Sequence, residues 1–269
     1  MESMERAATS DSTFQYYRNM KILQLLKRIS GRIRPREVFH STHYLRHNQL
    51  RQEHLATLGL ELSNQTVLEL GAGIGDHTSF FLDRDCRVLT SDGRPENVSL
   101  LREKFSAQAN VEVRTIDLDQ PIIAGMADRE LFDIVYCYGL LYHLGRPDEA
   151  LRFMAAHCSG MLLLELCVSF GDNVAVNVVA EEQINPSQAW TGSGCRPTRR
   201  WVVLQLERLF EHVYVPRSQP RHEEFPVDWS PAAAAAWTPG RLSRAVFVAS
   251  RRPLNSSMLV SELPITQTK

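Results

Sequence analysis

The chain carries almost no net charge: 30 Lys and Arg stand against 31 Asp and Glu, a formal −1 over 269 residues. So even a balance gives no whole-domain electrostatic footprint for DNA or RNA. Cysteine is scarce and unpatterned. Cys86, Cys137, Cys158, Cys167 and Cys195 form no CxxC pair, which argues against a disulfide framework or a structural zinc site. No apolar run approaches the ~18 residues of a membrane-spanning helix. The opening residues MESMERAATSDS are polar and acidic, unlike a signal peptide, and there is no internal repeat. What remains is 43% hydrophobic and 23% charged residues, ordinary for a globular chain that is long enough to bury a sizeable core. The expectation is a reduced, cytoplasmic protein.

Short apolar runs punctuate the chain: TVLEL (66–70), RVLT (87–90), VEVRT (111–115), FDIVYC (132–137) and MLLLELCV (161–168). Helix-like segments separate most of them, at about 76–82, 95–108 and 148–158. A helix near 198–210 and strands at 212–215 and 245–250 continue the alternation. This rhythm predicts a doubly wound α/β fold with a largely parallel sheet. Residues 1–58 read as an N-terminal helical extension or lid, residues 59–252 as the main domain and 253–269 as a C-terminal tail. Residues 14–36 are basic and amphipathic, either a helix docked on the domain or one that touches membrane or nucleic acid. Residues 169–197 hold glycines and Asn185-Pro186 without clear periodicity, and a connection this long is usually functional.

The most informative stretch is VLELGAGIGDHT, residues 67–78. An apolar strand carries Glu69 two positions before a Gly-x-Gly-x-Gly turn, and a helix is expected to follow. Glycines there let a ligand approach the backbone. A dinucleotide fingerprint would need Gly or Ala where Asp76 stands. The second strand ends in Asp92, the third leads to Asp117, and the fourth runs into YGLLYHLGRP (138–147). A cationic sulfonium with a zwitterionic tail needs carboxylates, a diol matches a two-oxygen acceptor, and adenine needs an acceptor–donor pair.

In these residues the chain resembles the class I S-adenosylmethionine-dependent methyltransferases, small-molecule branch, over about residues 60–170 and more loosely to 250. The resemblance implies a seven-stranded, mostly parallel Rossmann-like sheet and S-adenosylmethionine as cofactor. It implies that Glu69, Gly71, Ala72 and Gly73 line the methionine part. Asp92 would hold the ribose hydroxyls, with Gly93 and Arg94 beside the adenine. Asp117 and Leu118 would read the adenine edge, and Tyr138 would touch the cofactor amine. Because N-terminal helices often form a lid in this family, Tyr44, Arg46 and Asn48 are candidates to close over the cofactor, and Arg51 to reach its carboxylate.

His143, in LLYHL, is the candidate general base; the alternative is a histidine that braces its loop. Glu165 interrupts an apolar strand at its C-terminal end. A buried carboxylate is costly alone, so it either pairs with Arg or His or meets the substrate. Neither His40, His43, His47 and His54 nor HEEFPVDW (222–229) carries a ligand set, so no metal is expected. The leading reading is O-methylation of a small molecule, a natural product or a sugar-like acceptor. The alternatives are RNA methylation using the basic stretch 18–36, a non-catalytic cofactor-binding protein of the same fold, and a nicotinamide-dependent dehydrogenase. No DNA partner is expected; a homodimer is one candidate oligomeric state.

Overall fold

The computed structural model describes residues 34–120, 130–238 and 240–269; most of the basic stretch, residues 14–33, lies outside them. Two helices lead in, α1 (Pro35–Phe39) and α2 (Thr42–Thr57). Ser41 caps α2 by accepting from the Tyr44 amide. The alternating core follows: β1 (Thr66–Leu70), α3 (Thr78–Leu82), β2 (Arg87–Asp92), α4 (Pro95–Lys104), β3 (Val111–Thr115), β4 (Phe132–Tyr138), a 3₁₀ turn (Leu141–His143), α5 (Pro147–Ala156) and β5 (Cys158–Cys167). Both α4 and α5 begin on proline, whose missing N–H has no intrahelical partner at that position anyway. The second half contributes β6 (Val176–Ala180), β7 (Ser193–Pro197), α6 (Arg199–Glu207), β8 (His212–Pro216), α7 (Pro231–Ala236), β9 (Arg244–Ser250) and β10 (Leu259–Val260).

Eight strands form one sheet in the order β10-β8-β9-β5-β4-β1-β2-β3. The pairs β3–β2, β2–β1, β1–β4 and β4–β5 are parallel. β9 runs antiparallel between β5 and β8. The eighth strand comes from the segment read as a tail: β10 pairs with β8, and the amides of Gln219 and Thr268 bond the carbonyls of Thr268 and Arg217. The sequence hides this strand because only two residues pair, too few to show a period.

Successive residues of the strands face opposite sides of the sheet, and both sides are covered. Leu68, Val135, Leu162, Leu164 and Phe247 pack with Leu151 and Met154 of α5 and Val202 and Leu206 of α6. Val67, Val88, Ile134, Leu163 and Val248 pack with Leu55 and Leu58 of the α2 end and with Phe81 of α3. Double burial is why these strands read as continuous apolar runs. The helix expected at 76–82 starts only at Thr78; residues 73–77 form turns instead. The long connection 169–197 is a β-hairpin, β6 pairing with β7 in antiparallel register. Chain direction away from the sheet's middle reverses between β1 and β4, and ligands of open α/β sheets bind outside the strand ends at such a point.

Candidate active site

The turn after β1 is shaped by its glycines. Gly71 has φ +70°, and a Cβ there would lie 2.8 Å from Leu140; Gly73 has φ +59° and would press on Phe39 at 3.0 Å. Only glycine suits both the conformation and the space. The Gly73 amide donates to Asp92 Oδ2 at 2.9 Å, while Oδ1 accepts from the Arg94 amide at 2.8 Å and from Asn97 at 3.1 Å. The end of β2 is thereby fixed to the glycine turn. Burial pushes the Asp92 carboxyl up to about 6 against those three donors. An ionised carboxylate has roughly four acceptor positions, so one remains.

A cleft of about 670 Å³ opens at this edge, lined by Gly71, Gly73, Asp92, Gly93, Arg94, Asp117, Leu118 and His143, among others. With Tyr44, which also lines it, the cleft brings together nine of the site residues singled out in the sequence. Asp117 Oδ1 accepts from the Asp119 amide, and Asp119 Oδ1 accepts from the Gly145 amide, each at 2.9 Å, which ties the β3 end to the entry of α5. Phe39, Asp119 and Trp190 also line the cleft; sequence reasoning did not single them out, because nothing in their local pattern marks them. The Arg94 guanidinium reaches across to the hairpin loop, donating to the carbonyls of Gln183 and Gln188 at 3.0 Å each. It also lies 4.9 Å from the Trp190 ring.

A second pocket of about 320 Å³ shares Phe39, Tyr44 and Gly71 with the first and is lined further by Asn48, Arg51, Glu69, Ala72, His77 and Tyr138. Tyr44 and Asn48 therefore sit where the lid reading put them; Arg46 is exposed on α2 and lines neither pocket. Glu69 is buried and accepts from the hydroxyls of Thr78 and Thr90, and burial pushes its carboxyl up to about 7 despite those bonds. The Tyr138 hydroxyl and Arg51 Nε are buried and without a hydrogen-bond partner. They suit an anionic or polar group seated in this pocket.

Arg51 also resolves the question of Glu165. The carboxylate is fully buried, with Oε2 2.9 Å from Arg51 Nη1 and Oε1 3.1 Å from Arg244 Nη1. Arg244 in turn donates to Glu224 at 2.7 Å and to the Tyr142 hydroxyl at 2.9 Å. Of the two readings of Glu165, pairing with arginine is the one the geometry supports. It is a positioning residue that braces Arg51 from behind. Arg244 was missed because it enters from the far end of the chain, on an antiparallel strand.

His143 lines the main cleft with its Nδ1 hydrogen-bonded to Glu181 Oε2. Glu181 follows β6; it also accepts from the Ala189 amide at 2.8 Å and from Arg196 at 2.9 Å. Burial works against ionising Glu181, yet His143, Ala189 and Arg196 hold its carboxyl down at about 2. Burial lowers the His143 pKa and outweighs the pull of Glu181. The imidazole is thus neutral at physiological pH, with Nδ1–H facing the carboxylate and the Nε2 lone pair left to accept a proton. Sequence reasoning did not find Glu181. It lies 38 residues from His143, and no local pattern marks it.

The remaining histidines separate. His54 bonds the Ser218 carbonyl at 2.9 Å, His40 is exposed, and His43 and His47 pack against His222.

A glycine turn, an acidic β2 end and a cleft at the reversal of the strand order define a Rossmann-like methyltransferase fold. Residues 68–160 match the family model described as a methyltransferase domain. The fold together with this match supports a class I S-adenosylmethionine-dependent methyltransferase, a class whose cofactor is S-adenosylmethionine. Among solved structures, the N-terminal domain of EvdMO1 with S-adenosylhomocysteine and D-fucose is similar at TM-score 0.54 and 23% identity, over 79% of this chain and 85% of that one. A Burkholderia thailandensis 1,6-didemethyltoxoflavin-N1-methyltransferase is similar at TM-score 0.50 and 18% identity, over 89% and 90%. These likenesses concern the fold. Among curated proteins, a tRNA U34 carboxymethyltransferase of Pseudoalteromonas atlantica is 26% identical over 57% of this chain and 47% of its own length. An ornithine lipid N-methyltransferase of Singulisphaera acidiphila is 44% identical over 52 residues, 18% of this chain and 27% of its own. The chain spans about half or less of the curated relatives it matches. No helix among the described residues is long and apolar enough to cross a membrane.

Proposed function

We propose that the protein transfers a methyl group from S-adenosylmethionine to a hydroxyl of a small molecule, natural product-like or sugar-like. The observation that carries this is His143: a neutral imidazole in the cleft, aligned by Glu181 and Arg196. Asp92 would hold the ribose diol, Gly93 and Arg94 would flank the adenine, and Asp117 and Leu118 would read its edge. Glu69, the turn residues Gly71, Ala72 and Gly73, and Tyr138 and Arg51 would receive the methionine part. When bound, the cofactor supplies an electrophilic methyl on a sulfonium. His143 Nε2 would take the acceptor's hydroxyl proton as that oxygen bonds the methyl carbon and the sulfur leaves as a neutral thioether, and positioning would supply much of the remaining rate.

The hairpin at residues 169–197 favours a small acceptor. Arg94 fastens its loop across the cleft, and the hairpin exposes large apolar side chains, with Val178 76% and Ile184 58% exposed. The sugar in the EvdMO1 complex is in keeping with this reading. A second reading, methylation of RNA, is favoured by the tRNA-modifying relatives. It predicts tRNA binding that weakens steeply with salt; turnover of hydroxylated small molecules with no tRNA binding would exclude it.

Cofactor binding tests the frame common to both. Calorimetry with S-adenosylhomocysteine is expected to show saturable binding that Asp92→Ala weakens by about 1–3 kcal/mol, the scale of charge-assisted hydrogen bonds. The ionised form of Asp92 is the one that accepts from a diol. Affinity should therefore fall as pH drops below about 6, where burial places its titration. No heat at millimolar ligand would overturn the reading.

A further inference from the structure

Two stretches without a ligand set of their own, 40–54 and 222–229, meet in the fold. His47, His222 and Glu224 each bring one ligand atom to within 4.8 Å of the others, and so do His43, His222 and Glu223. The His47 and His222 rings stand 4.5 Å apart, and His43 and His222 5.3 Å. His47, His222 and Glu224 are buried, at 4%, 3% and 4% exposure. His47 Nε2 is enclosed with no hydrogen-bond partner. Buried polar atoms are rarely left so, and an imidazole nitrogen turned into a cluster of imidazoles and carboxylates is matched by a cation.

We propose that His47, His222 and Glu224, with a fourth ligand from His43 or Glu223, bind a divalent transition-metal ion of the zinc type. Imidazole and carboxylate suit Zn²⁺, and a four-ligand set of this kind is tetrahedral. The ligands of such an ion stand a little closer together than these atoms do, so small side-chain shifts close the set. The Arg244 bond to Glu224 Oε2 fixes that carboxylate from outside, as partners of metal ligands do. Arg51 and Arg244 share Glu165 between them, which offsets their charge, and the Arg241 guanidinium donates to the backbone carbonyl of Glu223. None of the five residues lines either pocket of the cleft. The ion is therefore structural: it clasps α2, which carries Tyr44 and Arg51 into the site, to the loop after β8.

The test uses the full, tag-free chain, stripped with chelator and titrated with Co²⁺. The expected result is one equivalent of cobalt with the intense visible bands of tetrahedral coordination, displaced by Zn²⁺, and a Tm that rises on Zn²⁺ addition. His47→Gln is expected to weaken cobalt binding roughly 100-fold, the upper end of what even outer-shell changes produce, and to abolish the Tm rise. Circular dichroism checks that the variant is folded. Should it not fold, Glu224→Gln, which retains an acceptor for Arg244, carries the same comparison. Absence of the one-equivalent spectrum in the unsubstituted chain, or an equal spectrum in the folded variant, overturns the proposal.

Discussion

Glu165→Ala is expected to destabilise the protein by about 3–5 kcal/mol, the range for removing one partner of a buried ion pair. Its carboxylate is fully buried between two guanidiniums, and the alanine would leave both Arg51 and Arg244 facing a space without an anion. At this chain length the loss corresponds to a Tm drop on the order of 10 °C in a thermal melt. The origin of the effect is checked by a coupling measurement. Arg51→Met in a Glu165→Leu background should be much less harmful than the two single substitutions added together, because no unpaired charge then remains on that side. A Tm that does not move for Glu165→Ala would mean that water reaches the pair. Full stability with lost turnover would restore Glu165 as the base.

His143→Ala is expected to lower turnover by about 10²-fold or more while leaving S-adenosylhomocysteine affinity nearly unchanged, since the lost interaction belongs to the transition state. The pH dependence separates a base from a brace. The neutral imidazole is the active form, so the rate falls as pH falls through the His143 pKa. Burial lowers that pKa, so the acid limb lies below the ordinary value near 6.5. Glu181 pulls the other way. Glu181→Gln should therefore move the acid limb to still lower pH while reducing the rate at neutrality, because the ring is no longer held in its tautomer. A histidine that only braces the loop gives neither shift. Loss of cofactor affinity or Tm in His143→Ala would favour the brace.

Parts of this site were legible in one dimension because a single element writes them. Strand β1 and its glycine turn must be apolar and then conformationally free, so Glu69, Gly71 and Gly73 announce themselves. Asp92 and Asp117 follow because parallel strands place successive carboxyl ends along one edge. The basic residues 14–33 were as visible in sequence, and they lie outside the described residues.

The alternating α/β order could be read from the sequence, because periodicity and turn chemistry are local and each strand carries its own signal. The partners of the charged groups emerge only once the chain is folded. Glu165 reads alike whether it meets substrate or arginine; the choice rests on Arg51, 114 residues away, and Arg244, 79 residues away. Glu181 becomes the orienter of His143 only because the hairpin packs on the 3₁₀ turn. His47 and His222 become neighbours only because α2 lies against the loop after β8. A buried charge or imidazole takes its role from whatever is within a few ångströms, and sequence spacing carries almost no information about that distance.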